Sequence, residues 1–143
     1  MGTTDSALAE PTNSLPDGPE VIEPGLHSLG LDFLTQVGRD EPIRGVWAPE
    51  PWMENGRGTV QGGVVLAVVG EIAESVGDRF VRPGQRASLM DVDVSILGAP
   101  TTDSNYDVAC RVIRAGRRIG VMEIEIVYGE RHLIYASAQV LIS

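Results

Sequence analysis

One segment alone carries a convincing helical pattern, GGVVLAVVGEIAESVG at residues 62–77, and the chain beyond it mostly alternates with a period of two. In the helix, Val65, Val69, Ile72 and Val76 recur at spacings of three and four, while Glu71, Glu74, Ser75 and the adjacent Asp78 share another face. Ala67, Gly70, Ala73 and Gly77 form a line of small residues. A helix that is apolar or small over most of its circumference belongs inside a fold, with small residues where another backbone comes close. Gly70 costs about 1 kcal/mol against alanine in a helix interior, so packing or function should require it.

The last sixty residues predict strands. Met90, Val92, Val94 and Ile96 alternate with Asp91, Asp93 and Ser95, and Tyr106, Val108, Cys110 and Val112 alternate with Asp107, Ala109 and Arg111. The turn RAGRR (residues 114–118) leads to Met122, Ile124 and Ile126 opposite Glu123 and Glu125, and YGER turns the chain again. From His132 to Ile142 the chain is apolar on both faces except for Ser137 and Gln139, which predicts a central strand or one covered at an interface. Before the helix, one helical turn after Gly25 and two short strands, Leu31–Val37 and Pro42–Ala48, joined by the turn GRDEP, complete the order. With only one crossover helix a parallel α/β fold is excluded, and the expectation is α+β: an antiparallel sheet curled round one central helix at about residues 62–77.

The chain of 143 residues has room for one domain. Residues 1–24 are rich in Pro, Gly, Ser, Thr and acids without periodicity and are expected to be a mobile acidic tail, leaving 25–143 as the domain. The start lacks the basic and apolar regions of a secretory leader, so a cytoplasmic setting is expected, and no apolar run approaches the ~20 residues of a membrane span. Six acids precede the first base, Arg39, so of the net charge of −9 the tail and its junction carry −6 and the remainder only −3. An acidic chain without a basic stripe is expected to have no nucleic-acid partner. All eleven bases are arginine, which excludes Schiff-base chemistry, a lysine general base and a Walker-type phosphate loop. Cys110 is the one cysteine, too few for an internal disulfide or a thiolate metal cluster, and is expected in the core.

The glycines of NGRGTVQGGVV (Asn55 to Val65) are the candidate site. Gly56, Gly58 and Gly62 miss the third spacing of a dinucleotide fingerprint by one residue, and no G-x-S-x-G elbow occurs. His27 and His132 are isolated, so neither a metal site nor a catalytic triad is expected; His132 belongs to the core or the surface. QGG directly before an apolar helix leaves backbone N–H groups at a helix N-terminus, where the partial positive charge suits a polarised carbonyl or oxyanion. The alternative is that these glycines only permit tight packing.

NGRGTVQGGVVLAVVGEIAESVG, followed by a glycine-punctuated meander with RAGRR at one turn, resembles the hotdog-fold acyl-CoA thioesterases of the PaaI-like group over about residues 25–143. The resemblance implies an acyl-CoA substrate, no cofactor beyond the coenzyme A of that substrate, and a homodimer with active sites at the subunit interface, often paired into a homotetramer. It places Gly62 where a backbone N–H polarises the thioester carbonyl, and Gln61 where histidine is usual. Asn55 falls where an asparagine holds substrate or the attacking water. Gly63 and Gly70 would line the substrate's path, and Arg117 and Arg118 would contact the phosphates of coenzyme A. The family's catalytic Asp or Glu position is Gly70 here, so the expected base is absent. Glu71 follows it, but one residue turns a side chain by ~100° round a helix.

Three readings stay open on these residues. Glu71 acts as base through a local shift of the helix; or hydrolysis proceeds without a carboxylate, slowly, with Asn55 and Gln61 orienting water; or the chain binds an acyl thioester or another ligand without catalysis, Gly70 making room for a larger acyl group. The loss of a general base typically costs ~10²- to 10⁴-fold in rate. A hydratase or dehydratase is disfavoured, since no His and acid pair is suitably placed to move its protons.

Overall fold

The computed structural model describes residues 29–33 and 41–143. The predicted tail, the helical turn after Gly25 apart from its last residues, His27 and most of the turn GRDEP lie outside the described residues. Strand β1 spans Leu31–Phe33 and β2 Ile43–Trp47. The remaining residues of the predicted Leu31–Val37 strand also lie outside the described part. A 3₁₀ turn at Pro51–Met53 precedes helix α1, Gly62–Gly77, whose bounds match the sequence pattern. Strands β3 (Ala87–Ile96), β4 (Tyr106–Ala115), β5 (Ile119–Tyr128) and β6 (Arg131–Ile142) follow.

The sheet order is β1-β2-β4-β5-β6-β3, with every pair antiparallel. Strand β6 lies between β5 and β3, the central place its two apolar faces predict, and β1 and β3 are the edges. α1 packs on β3, β4, β5 and β6. Its predicted stripe Val65, Val69, Ile72 and Val76 is buried to 1 % exposure or less, facing a floor of Met122, Ile124, Ala136, Ala138 and Val140. The register sets large against small on that floor, Met122 beside Ala138 and Ile124 beside Ala136, which leaves depth for a helix. Each fully buried aliphatic side chain contributes about 1.5–3 kcal/mol relative to exposure. Gly77 marks the closest approach: a Cβ there would stand 2.7 Å from the Cβ of Ala87 and 3.2 Å from Val140. Cys110 is fully buried, as expected of a core residue.

One reading of the pattern needs correction. The alternation placed Met90 with Val92 and Val94 on the inner face, but a β-bulge falls between Leu89 and Asp91. Met90 is the extra residue and is 45 % exposed, while Ala87 and Leu89 turn inward before it and Val92 and Val94 after it. Ile96, at the strand's end, is also exposed. The polar face of α1 meets the start of β3. Ser75 is buried, Glu74 accepts a 2.7 Å hydrogen bond from the N–H of Leu89, and Asp78 accepts one of 2.7 Å from the N–H of Ala87. Both carboxylates satisfy backbone donors of the edge strand. No helix among the described residues is long and apolar enough to cross a membrane.

Candidate functional site

The loop before α1 is tied by its backbone at both ends. Glu54 and Val60 form an isolated antiparallel bridge, the Asn55 N–H donates to the Thr59 carbonyl (2.9 Å), and the Val60 N–H donates to Pro100 (2.8 Å) beyond β3. The Asn55 side chain closes the turn: its amide donates to Thr59 Oγ1 at 2.7 Å, and its oxygen accepts from the Arg57 N–H at 2.8 Å. Gly56 and Gly58 have φ of 85° and 84°, a region that excludes most side chains, so these two glycines belong to the turn.

Gly62 and Gly63 serve differently. The Gln61 N–H is held by the Met53 carbonyl (3.0 Å), and the Gln61 carbonyl accepts from Val64 (3.0 Å) and Val65 (3.1 Å), which starts the helix. The N–H groups of Gly62 and Gly63 make no backbone hydrogen bond with the preceding loop. Both residues are exposed, and a Cβ on either would meet nothing within 4 Å. The glycines are therefore not required by packing in the single chain. They leave two donors at the positive end of a helix open to a ligand oxygen. Gln61 is the N-cap residue with an extended backbone (φ −60°, ψ 139°), and its side chain makes no capping bond.

Further along α1, an open groove of about 340 Å³ is walled by Leu29, Leu66, Ala67, Gly70 and Leu89, with Glu71 and Glu74 along it. Gly70 is buried, and a Cβ there would stand 3.3 Å from Leu89 Cδ2. Packing under Leu89 thus accounts for a glycine in the helix interior. Gly70 and Leu89 line the same stretch of the groove. Glu71 is half-buried and borders the same groove as Gly70. Leu89 and Leu66 escape a sequence reading: strict alternation with Met90 turns Leu89 outward, and only the bulge, which leaves no mark in composition, turns it in.

Arg117 and Arg118 lie at the other end of the molecule. The Arg118 carbonyl accepts from the Ile142 N–H (2.7 Å), and Arg86 pairs with Ser143 through two backbone bonds, so this hairpin sits where α1 ends and β3 begins. From Gly62 that is about the length of the helix, ~24 Å at 1.5 Å per residue. The same end holds Arg82, Arg86 and Arg114, a basic concentration that the net charge conceals. His132 is on the opposite, outer face of the sheet, exposed and paired with Glu125 at 2.8 Å. There the hydrogen bond from Tyr135 to Glu123 holds the Tyr135 hydroxyl above its usual range, since the carboxylate disfavours a phenolate beside it. Among the described residues no group of three or more His, Cys, Asp or Glu could hold a metal ion.

The family of acyl-CoA thioesterase N-terminal domains matches residues 48–143. No curated protein matches the sequence. Among solved structures, a phenylacetic acid degradation-related protein from Ralstonia eutropha is 16% identical, with a TM-score of 0.76 over 85% of this chain and 92% of its own. A thioesterase from Haemophilus influenzae is 17% identical, with a TM-score of 0.71 over 85% and 83%. A hypothetical thioesterase from Streptococcus pneumoniae, solved with coenzyme A, is 17% identical, with a TM-score of 0.67 over 79% and 85%. At these identities the structures establish a shared fold.

Proposed function

The chain belongs to the family of acyl-CoA thioesterase N-terminal domains and adopts the hotdog fold, and on that premise we propose that it hydrolyses acyl-CoA to the free acid and coenzyme A. The observation that carries the proposal is the pair of open N–H donors at Gly62 and Gly63. The thioester oxygen accepts the Gly62 N–H, and the helix dipole favours the charge that develops there. The oxygen of a water bonds to the carbonyl carbon, giving a tetrahedral oxyanion; the C–S bond then breaks, and the thiolate of coenzyme A leaves and takes up the proton that water gave up. Asn55 and Gln61 orient the water or substrate from the loop that ends at Gly62. Glu71, on the groove and directly after Gly70 in sequence, is the candidate base beside the place where the family's base stands, and a slow reaction is expected because it enters from a different helical angle.

The groove is open in a single chain, its wall residue Leu66 is 48 % exposed, and Trp52, before the helix, is 62 % exposed. A homodimer that closes this side, or a homotetramer of two such dimers, completes the site. Arg117 and Arg118 reach the coenzyme phosphates either along the length of α1 or from the second subunit. A non-catalytic acyl-CoA-binding protein is the rival reading, favoured by one observation: Leu89 stands against Gly70, where a catalytic carboxylate would project.

The deciding variant is Gly62→Pro. Proline is tolerated at the first helical position, and the extended backbone of Gln61 suits the residue before it, so the substitution removes one N–H and little else. Thiol release from acyl-CoA should fall ~10²- to 10³-fold with the melting temperature preserved. Measured beside it, Glu71→Ala loses activity if Glu71 is the base and keeps it if water needs no carboxylate. A wild type that binds acyl-CoA and releases no thiol would reject hydrolysis in favour of the binding protein.

A further inference from the structure

We propose that Leu89 determines which acyl groups this protein accepts, as a stop that limits how far an acyl chain can lie along α1, and that Glu74 is the positioning residue that holds the stop in place. The inference rests on the acyl thioester function above and supplies the acyl class which that function leaves open: chains up to medium length.

Gly63, Leu66, Ala67 and Gly70 are spaced by three, four and seven residues and so form one stripe that begins at the open N–H groups. At 1.5 Å per residue, Gly70 lies about 10 Å along the axis from Gly63. An acyl chain anchored by its carbonyl at the helix N-terminus and laid on this stripe meets apolar walls at Leu66 and Leu29. Carbon–carbon bonds of about 1.5 Å advance a zigzag chain by roughly 1.25 Å each, so about eight carbons reach Gly70. There Leu89 crosses the stripe and narrows the groove, its Cδ2 standing 3.3 Å from the point where a Cβ on Gly70 would be.

A leucine on an edge strand can usually yield to a ligand, and this one is fixed by what surrounds its backbone. The Glu74 carboxylate takes the Leu89 N–H at 2.7 Å, and Asp78 takes the Ala87 N–H two residues earlier at 2.7 Å. Leu89 itself pairs with Val140 of β6, and the bulge directly after it shifts the register by one residue before pairing resumes at Asp91 and Gln139. The strand is thus clamped to α1 just where its side chain crosses the groove. Glycine at position 70 and leucine at 89 form one device: the first lets the second lie against the helix backbone.

The test is a chain-length profile of kcat/KM for straight-chain acyl-CoA thioesters from butanoyl to hexadecanoyl. Wild type should fall off beyond octanoyl. Leu89→Ala should move the limit outward and raise kcat/KM for dodecanoyl relative to butanoyl by about tenfold, the worth of roughly two methylenes buried. Leu89→Val, a smaller cut, should move it less in the same direction, and serves if the alanine variant is poorly folded. Glu74→Ala should broaden the profile, and Glu74→Gln, which keeps an acceptor oxygen for the Leu89 N–H, should restore its shape; a merely structural loss would lower all chain lengths together. If no thioester is hydrolysed, the hydrolase proposal fails on its own, and the affinities of non-hydrolysable alkyl-CoA thioethers give the same profile. Identical chain-length profiles in wild type and Leu89→Ala, by rate or by affinity, would overturn the role of Leu89.

Discussion

Glu74 and Leu89 are fifteen residues apart in sequence and are joined by a 2.7 Å hydrogen bond from the Leu89 N–H to the Glu74 carboxylate. The bond fastens the edge strand β3 to α1, and Asp78 repeats it on Ala87 one turn later. Hydrogen bonds to charged acceptors contribute about 1.5–3 kcal/mol each. Glu74→Ala and Asp78→Ala should each lower stability within that range in urea melts. Amide exchange at Leu89 and Ala87 should speed up more than at the central strand β6. Equal loss of protection across the sheet would mean that the carboxylates do not hold the edge.

The glycines of α1 should separate cleanly under alanine substitution. Gly77→Ala drives a methyl to 2.7 Å from Ala87 and should cost about 1–3 kcal/mol. At Gly63 the methyl meets nothing, so stability should hold or rise slightly while a substrate's approach to the main chain is hindered. Activity lost at Gly63→Ala with an unchanged melting temperature is the expected signature; a stability loss there instead would assign the glycine to packing.

Asn55 uses both ends of its amide within its own loop, so Asn55→Ala should loosen residues 55–59 as well as alter the site. Asn55→Asp keeps the acceptor for Arg57, and Thr59 can donate to it in place of the amide. The aspartate variant should therefore keep the loop's protection from proteolysis. Thiol release that falls in Asn55→Asp with the loop intact would assign the amide N–H to substrate or water; retained activity would confine Asn55 to the turn.

Burial pushes the Cys110 thiol from its ordinary 9.0 up to about 12, with Arg79 acting weakly the other way. Between those values the unfolded chain has released a proton that the folded chain keeps, so stability falls as pH rises through this window and is fully present below it. Melting temperature should drop from about pH 9 upward, and Cys110→Ala should flatten that part of the profile. Thiol reagents at neutral pH should label native protein only as fast as it unfolds.

The sequence by itself determined the element order and the α+β class, because hydrophobic period is a local property: three-and-four spacing over residues 62–77 and alternation from Ala87 onward leave few architectures. It determined the inner faces of β4 and β5 for the same reason, and the two apolar faces of β6 called for a central strand or one covered at an interface. It also pointed to Gly62, since a helix N-terminus leaves N–H groups open wherever it falls. Only the tertiary structure decided the rest. The bulge at Met90 depends on how β3 pairs with β6, so it turned Leu89 inward against its own alternation. Glu74 and Asp78 were legible only as members of one polar face, and they became clamps because the partners that decide their role, the N–H groups of Leu89 and Ala87, arrive from the next strand. The meaning of Gly70 was split in the same way: its cost in a helix was legible, but the side chain that requires it belongs to another strand.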